Sequence, residues 1–294
     1  LCFPGTQTAL YATIRSLAEA GDEVLVGDPL YATYEGIIRA SGAEMVTIPL
    51  RQSSNFVIDP NDLEKAITKK SRVILLNSPH NPTGSILTRK DFLKIADICV
   101  KHNLWVVSDE VYEELIFAGN FISPMSIENL ANRTVSVSSI SKSHAAPGFR
   151  SGWAIGPEEF CTKALPLSET MLFGNQPFIA DMTAYALSKP SKTASKMRVA
   201  YHRRAKLICK MLRNVTKVKP FMPSAGMFIL INIKDTKLSC YDFAWKLLRE
   251  HNVAVMPGDS FGQQAQDFIR ISLTVPDKDL IQACDRIAKF VKTQ

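Results

Sequence analysis

Long apolar runs are missing from this chain. No stretch approaches the ~20 consecutive apolar residues that a bilayer-spanning helix requires, so no membrane partner is expected. The first residues, Leu1-Cys2-Phe3-Pro4-Gly5, lack the basic start and small-residue cleavage site of a secretory signal, which leaves a cytoplasmic location as the expectation. Cysteine is sparse and scattered: Cys2, Cys99, Cys161, Cys209, Cys240 and Cys284 form no CxxC or Cys/His spacing. That excludes the usual zinc patterns, and the apolar surroundings of most of these residues predict buried, reduced thiols. A concentrated charge of one sign is missing too. The net charge is +7, but the basic residues are spread along the chain, and the densest run, His202-Arg203-Arg204-Ala205-Lys206, reads as the solvated face of a helix. Nucleic acid is therefore not an expected partner.

What is present is an ordinary globular composition, 46% hydrophobic and 21% charged over 294 residues, too long for one small core. Short apolar runs alternate with amphipathic stretches over the first two-thirds. Strands are predicted at 23–27, 44–49, 72–77, 104–108, 133–138 and 151–156, and helices at 6–20, 31–41, 60–68 and 89–102. The runs Val73-Ile74-Leu75-Leu76 and Trp105-Val106-Val107 are apolar on both faces, as covered parallel strands must be. This alternation predicts an α/β fold, a mostly parallel sheet sandwiched by helices, over residues 1–190. A long helix pattern at 191–213 opens a smaller C-terminal α+β domain, residues 191–294. It contains a Pro-rich turn at Lys219-Pro220-Phe221-Met222-Pro223, strands at 227–233, 253–256 and 268–272, and helices at 239–250 and 277–293. The chain opens on what reads as the end of a strand running into a helix at Gly5-Thr6-Gln7, which points to further sequence upstream.

The chemistry-bearing residues fall where strands end, the rim on which open parallel sheets bind ligands. Asn77-Ser78-Pro79-His80-Asn81-Pro82-Thr83-Gly84 follows one strand, Ser108-Asp109-Glu110-Val111-Tyr112 the next, and Ser139-Ile140-Ser141-Lys142 a third. A lysine amine in a poorly hydrated pocket beside other cations loses basicity and becomes a nucleophile towards carbonyls, which makes Lys142 a candidate for covalent attachment. Arg150, across the Pro147-Gly148 turn, offers a planar fork for a phosphate, as do the hydroxyls of Ser139 and Ser141. Gly5-Thr6-Gln7 opens a helix whose amides and dipole suit the same anion. Asp109 is placed to pair with a protonated ring nitrogen. Tyr112 and Asn81 are potential donors to a phenolic oxygen, and Tyr31 and Val111 are candidates for the two ring faces.

Taken together, these motifs resemble the class I/II aminotransferases of the fold-type I enzymes that depend on pyridoxal 5'-phosphate (PLP). The resemblance runs from Pro4-Gly5-Thr6-Gln7-Thr8-Ala9-Leu10 to Phe268-Ile269-Arg270-Ile271-Ser272. It implies that Lys142 is the Schiff-base lysine and proton shuttle, that Asp109 binds the pyridine nitrogen, and that Tyr112 and Asn81 bind the ring oxygen. It assigns the phosphate to Thr6, Ser139 and Arg150, the stacking ring to Tyr31, and the substrate α-carboxylate to Arg270. It also implies amino acid and 2-oxo acid substrates and a homodimer. The family carries a further N-terminal segment that reaches the partner subunit and completes the substrate pocket. Asp28-Pro29-Leu30-Tyr31-Ala32-Thr33-Tyr34-Glu35-Gly36, Ser139–His144 and Leu172–Asp181 are similar to bacterial arginine–pyruvate transaminases and their relatives.

Single residues have plainer readings. Asn81-Pro82-Thr83-Gly84 is also an ordinary turn, Asp109 is also a helix cap, an arginine such as Arg270 on an alternating strand commonly faces water, and Tyr31 is also a core residue. His144 is expected to make a structural hydrogen bond near the lysine turn. Two other reactions of the same residues stay open, β-elimination by a carbon–sulfur lyase and non-catalytic PLP binding in a regulatory domain. Leu165–Asp181 contains no Lys or Arg to meet a dicarboxylate, and Glu169 and Asp181 are candidates to favour a basic substrate.

Overall fold

A strand buried on both faces needs apolar side chains at nearly every position. The computed structural model, which describes residues 1–294, places such strands at its centre. The chain runs β1 (Cys2–Phe3), α1 (Thr6–Leu17), β2 (Glu23–Asp28), α2 (Tyr34–Ala40), β3 (Glu44–Pro49), α3 (Pro60–Ala66), β4 (Ser71–Asn77) and α4 (Arg89–Lys101). It continues with β5 (Trp105–Asp109), α5 (Glu128–Ala131), β6 (Thr134–Ser139), α6 (Ile140–Ser143), β7 (Gly152–Ile155), α7 (Glu158–Leu172) and α8 (Pro177–Leu187). Seven strands form one sheet in the order β1-β7-β6-β5-β4-β2-β3. The strands β6, β5, β4, β2 and β3 are parallel, while β7 runs antiparallel to both of its neighbours, β6 and the edge strand β1. Helices α1 and α2 bury one face, and α3 and α4 the other. Thr88 caps α4 in a reciprocal box with Asp91, so that helix starts where its local sequence specifies.

The remainder comprises α9 (Lys192–Leu212), β8 (Lys219–Phe221), β9 (Phe228–Asn232), α10 (Cys240–His251), β10 (Met256–Pro257), β11 (Phe268–Ser272) and α11 (Asp277–Thr293). Its four strands form an antiparallel sheet ordered β10-β11-β9-β8. Helices α9, α10 and α11 pack on one face of this sheet, together with Val111, Tyr112 and Leu115 from the segment after β5. Leu230 and Phe268 from the small sheet join the core that contains α3 and α4.

Four expectations are corrected. Lys219–Phe221 is an edge strand rather than part of a turn, a place where Pro220 costs no ladder hydrogen bond. The strand expected at 253–256 shrinks to Met256–Pro257, because the Val253 amide donates back to the Leu247 carbonyl and closes α10 instead. Residues 158–187, where no element was expected, form α7 and α8, the first of them with Pro166 inside it. The basic run in α9 is not uniformly solvated: Arg204 donates to Asp277 at 2.8 Å and to the Leu273 carbonyl at 2.8 Å, and His202 stacks on Phe117. No helix is long and apolar enough to cross a membrane, and no cluster of His, Cys, Asp and Glu has the arrangement of a metal site.

Candidate active site

The parallel register brings the ends of β4 and β5 side by side, Asn77 against Asp109, with Asp109 against Val137 of β6. A cavity of about 340 Å³ opens beyond these ends. Thr6, Gln7, Tyr31, Asn81, Asp109, Tyr112, Ser139, Ser141, Lys142, Arg150 and Arg270 all line it. Gly5, the remaining predicted residue, lies directly beneath Arg150, where a Cβ would collide with the guanidinium.

Asp109 is 4% exposed, and burial lifts its carboxyl to about 6 against stabilisation by Tyr34, the Val111 amide and Lys142. Its Oδ2 accepts from the Tyr34 hydroxyl at 2.6 Å and its Oδ1 from the Val111 amide at 3.2 Å. Neighbouring Glu110 is also buried but accepts from Ser136 and Ser123, so it does not contribute to the cavity. Lys142 stands on the single turn of α6. Burial lowers its pKa, Asp109 raises it, and Arg150 and Arg270 lower it further, so the neutral amine is favoured relative to a free lysine. Tyr112 is pushed up by burial and by Asp109, and keeps its proton.

One end of the cavity gathers groups able to hold an anion. Helix α1 starts after Gly5 at φ 89 with no side-chain cap, so its first amides are unsatisfied by the chain. The Thr6 Oγ1 atom is buried without a partner. Arg150 is held there by donating to the carbonyls of Pro147 at 2.7 Å and Pro4 at 3.3 Å. Ser139 caps α6 through the Ser141 amide at 3.3 Å. The Gln7 side chain is exposed and accepts from Thr33, so only its position at the helix start faces an anion. Elsewhere in the cavity Arg270 donates to Asn81 Oδ1 at 2.9 Å, and its guanidinium lies 4.0 Å from the Phe228 ring centroid and 4.5 Å from that of Phe261. It is half-buried and faces the cavity.

The chain matches the family Aminotransferase class I and II over residues 1–287. The arginine–pyruvate transaminase AruH of Pseudomonas aeruginosa is 41% identical over 97% of this chain and 72% of its own length. The chain belongs to the class I and II aminotransferases. An aspartate aminotransferase of Pyrococcus horikoshii is 33% identical, over 98% of this chain and 74% of its own. A solved aromatic aminotransferase from the same organism superposes with a TM-score of 0.96 at 31% identity, covering 100% of this chain and 79% of that one. The aspartate aminotransferase of Thermus thermophilus gives 0.92 at 28% identity, over 98% and 75%.

Family membership makes this aminotransferase a PLP-dependent transferase, and the cavity suits that cofactor. A partnerless buried hydroxyl on Thr6, an uncapped helix start, a glycine with no room for a side chain and a buried carboxylate bonded only to neutral donors are what a phosphorylated pyridinium requires.

Sequence reasoning missed several of the residues that hold this aminotransferase site together. Tyr34 follows Tyr31 at the start of α2, a spacing that signalled a helix face and nothing about Asp109. Asn77 donates to the Asp109 carbonyl at 2.9 Å and accepts from the Asn81 amide at 2.8 Å, linking two of the predicted residues. Phe228 and Phe261, whose rings flank Arg270, carried no such signal in the sequence. His144 makes the expected structural contacts, with Ser143 at 2.9 Å and the Ala186 carbonyl at 3.2 Å. Glu169 and Asp181 are exposed and do not line the cavity, so they offer no pocket for a basic side chain here.

Proposed function

We propose that this chain moves an amino group from an L-amino acid to a 2-oxo acid, with Lys142 as its covalent anchor and proton carrier. The observation that carries the reading is the presence of Lys142, Asp109, Arg150 and Arg270 on one cavity. Thr6, Ser139, Ser141, Arg150 and the amides after Gly5 would hold the cofactor phosphate. Asp109 would hold the ring nitrogen, Tyr112 and Asn81 the ring oxygen, and Tyr31 would pack on the ring. When bound, the cofactor supplies an electron sink for the carbanion formed at the substrate α-carbon. Arg270 receives the α-carboxylate through donors beyond the one it gives Asn81. Lys142 Nζ, with its pKa lowered, takes up and returns the proton at the substrate α-carbon. The flanking rings of Phe228 and Phe261 keep water from the guanidinium and strengthen its hold on the carboxylate.

Likeness to arginine–pyruvate transaminase makes pyruvate the proposed acceptor and arginine the first donor to assay. A homodimer is proposed from the exposed apolar side chains of Phe173, Phe178 and Tyr185 on the α7–α8 segment, 92%, 66% and 71% accessible. The free thiols, with Cys99, Cys240 and Cys284 buried, support a reducing, cytoplasmic setting. The two separate sheets support a division of the chain into residues 1–190 and 191–294. The test is keto acid release from arginine, alanine, aspartate and aromatic donors, with and without pyruvate or 2-oxoglutarate. Multiple-turnover release that depends on the acceptor supports transamination; release beyond one equivalent per active site without any acceptor, from a cysteine S-conjugate whose thiolate can leave from Cβ, would sink it in favour of elimination.

A further inference from the structure

The strand that leads to Tyr31 is tied to the small sheet's side of the molecule by one buried carboxylate. Asp28, the last residue of β2, is 6% exposed. Its Oδ2 accepts from the Gln263 amide and its Oδ1 from the Gln264 amide, both at 3.1 Å. Two residues on, the Leu30 amide donates to the Phe261 carbonyl at 2.7 Å. Gly262 between them has φ 119, and a Cβ there would strike the Asp28 carboxylate. Residues 28–30 therefore fix the backbone of residues 261–264 from two directions. The side chain carried on that backbone, Phe261, is 3% exposed and lies against the Arg270 guanidinium.

Buried carboxylates bonded only to backbone amides are costly to keep unless the amides have few other partners. Here the amides open the second of two 3-10 turns, Gly258–Phe261 and Gln263–Ala265, between β10 and β11, and the carboxylate receives both of them. We propose that Asp28 is a positioning residue for the carboxylate subsite: by gripping the Gln263 and Gln264 amides it sets Phe261 against Arg270, and so fixes how Arg270 receives substrate. This rests on the role given to Arg270 above. Asp28 itself touches neither substrate nor cofactor.

The test uses the cofactor-loaded enzyme and propanoate, an unreactive carboxylate, with Asp28→Asn, Gly262→Ala and Arg270→Lys compared with the parent. Asp28→Asn keeps the size of the side chain but presents an N–H₂ to one amide donor; Gly262→Ala pushes on the same contact from the loop. Both are expected to weaken propanoate binding about tenfold, the effect of one lost hydrogen bond to a charged group, and to raise KM for donor and acceptor alike far more than kcat falls. PLP affinity should stay at the parent value. If Arg270→Lys weakens propanoate binding while Asp28→Asn and Gly262→Ala do not, the positioning role is overturned and that of Arg270 stands. If Arg270→Lys leaves propanoate binding unchanged, the reading of Arg270 fails and takes this inference with it. A uniform loss of PLP affinity, kcat and propanoate binding in the Asp28 and Gly262 variants marks a merely structural contact and also overturns the proposal. Should Asp28→Asn fail to fold, Gly262→Ala decides between the same outcomes.

Discussion

The hydroxyl of Tyr34 donates to Oδ2 of Asp109 at 2.6 Å, with both side chains buried. A donor to the ionised form opposes the burial that lifts Asp109 to about 6. Tyr34→Phe removes it, so the carboxyl should rise further and become neutral at a higher pH. Cofactor affinity of the apoenzyme, titrated from about pH 5 to 8, is expected to collapse one to two pH units earlier on acidification. That shift corresponds to roughly 1.5–3 kcal/mol for a hydrogen bond to a charged group. An unchanged pH profile would remove Tyr34 from the site.

The same carboxylate has a cost for the cofactor-free fold. Its pKa is raised from 3.8 to about 6, so the folded chain holds the proton more tightly than the unfolded chain does. Stabilisation by that proton is complete below 3.8 and is lost as pH rises through about 6. Above that window the shift corresponds to about 3 kcal/mol. Asp109→Asn is therefore expected to raise the apoenzyme Tm near neutral and alkaline pH and to lose this advantage below pH ~4, while cofactor affinity falls. Thermal melts across pH, read beside cofactor titrations, check both halves.

Lys142→Ala should lower kcat by about 10²–10⁴-fold or more, the usual worth of a positioned acid–base group. The visible absorption of the loaded enzyme should disappear with it, because the anchoring amine is gone. The half-buried side chain is not part of the apolar core, so Tm should hardly move. Retention of the visible band in this variant would contradict the anchor assignment.

Gly5→Ala tests the anion site. Its φ of 89 disfavours any side chain, and the new Cβ would displace the Arg150 guanidinium. Affinity for PLP is expected to drop about tenfold or more, the cost of one weakened charge-assisted contact plus backbone strain. Affinity for pyridoxal, which carries no phosphate, should change little. Equal losses for both compounds would place the phosphate elsewhere.

Much of this molecule was legible in its sequence. The doubly apolar runs at 73–76 and 105–107 announced covered parallel strands, and the polar clusters just past their ends announced the rim. Eleven of the predicted residues line one cavity, and Gly5 lies beneath one of them. The errors share a physical origin. Val253 satisfies its amide by closing a helix, Lys219–Phe221 pairs with the strand that follows it despite Pro220, and Glu169 and Asp181 look available only until the chain folds their helices away from the cavity.

Residue types and their local spacing were enough to determine the layered α/β architecture and to nominate the candidate reactive groups, because periodicity and strand-end placement are short-range properties. Which atoms discipline those groups was decided only by the tertiary structure. Tyr34 meets Asp109 across two strands, Asn81 meets Arg270 across two sheets, and Asp28 meets Gln263 across most of the chain. A hydrogen bond acts over about 3 Å whatever the separation in sequence, so only the folded backbone could bring those pairs within reach.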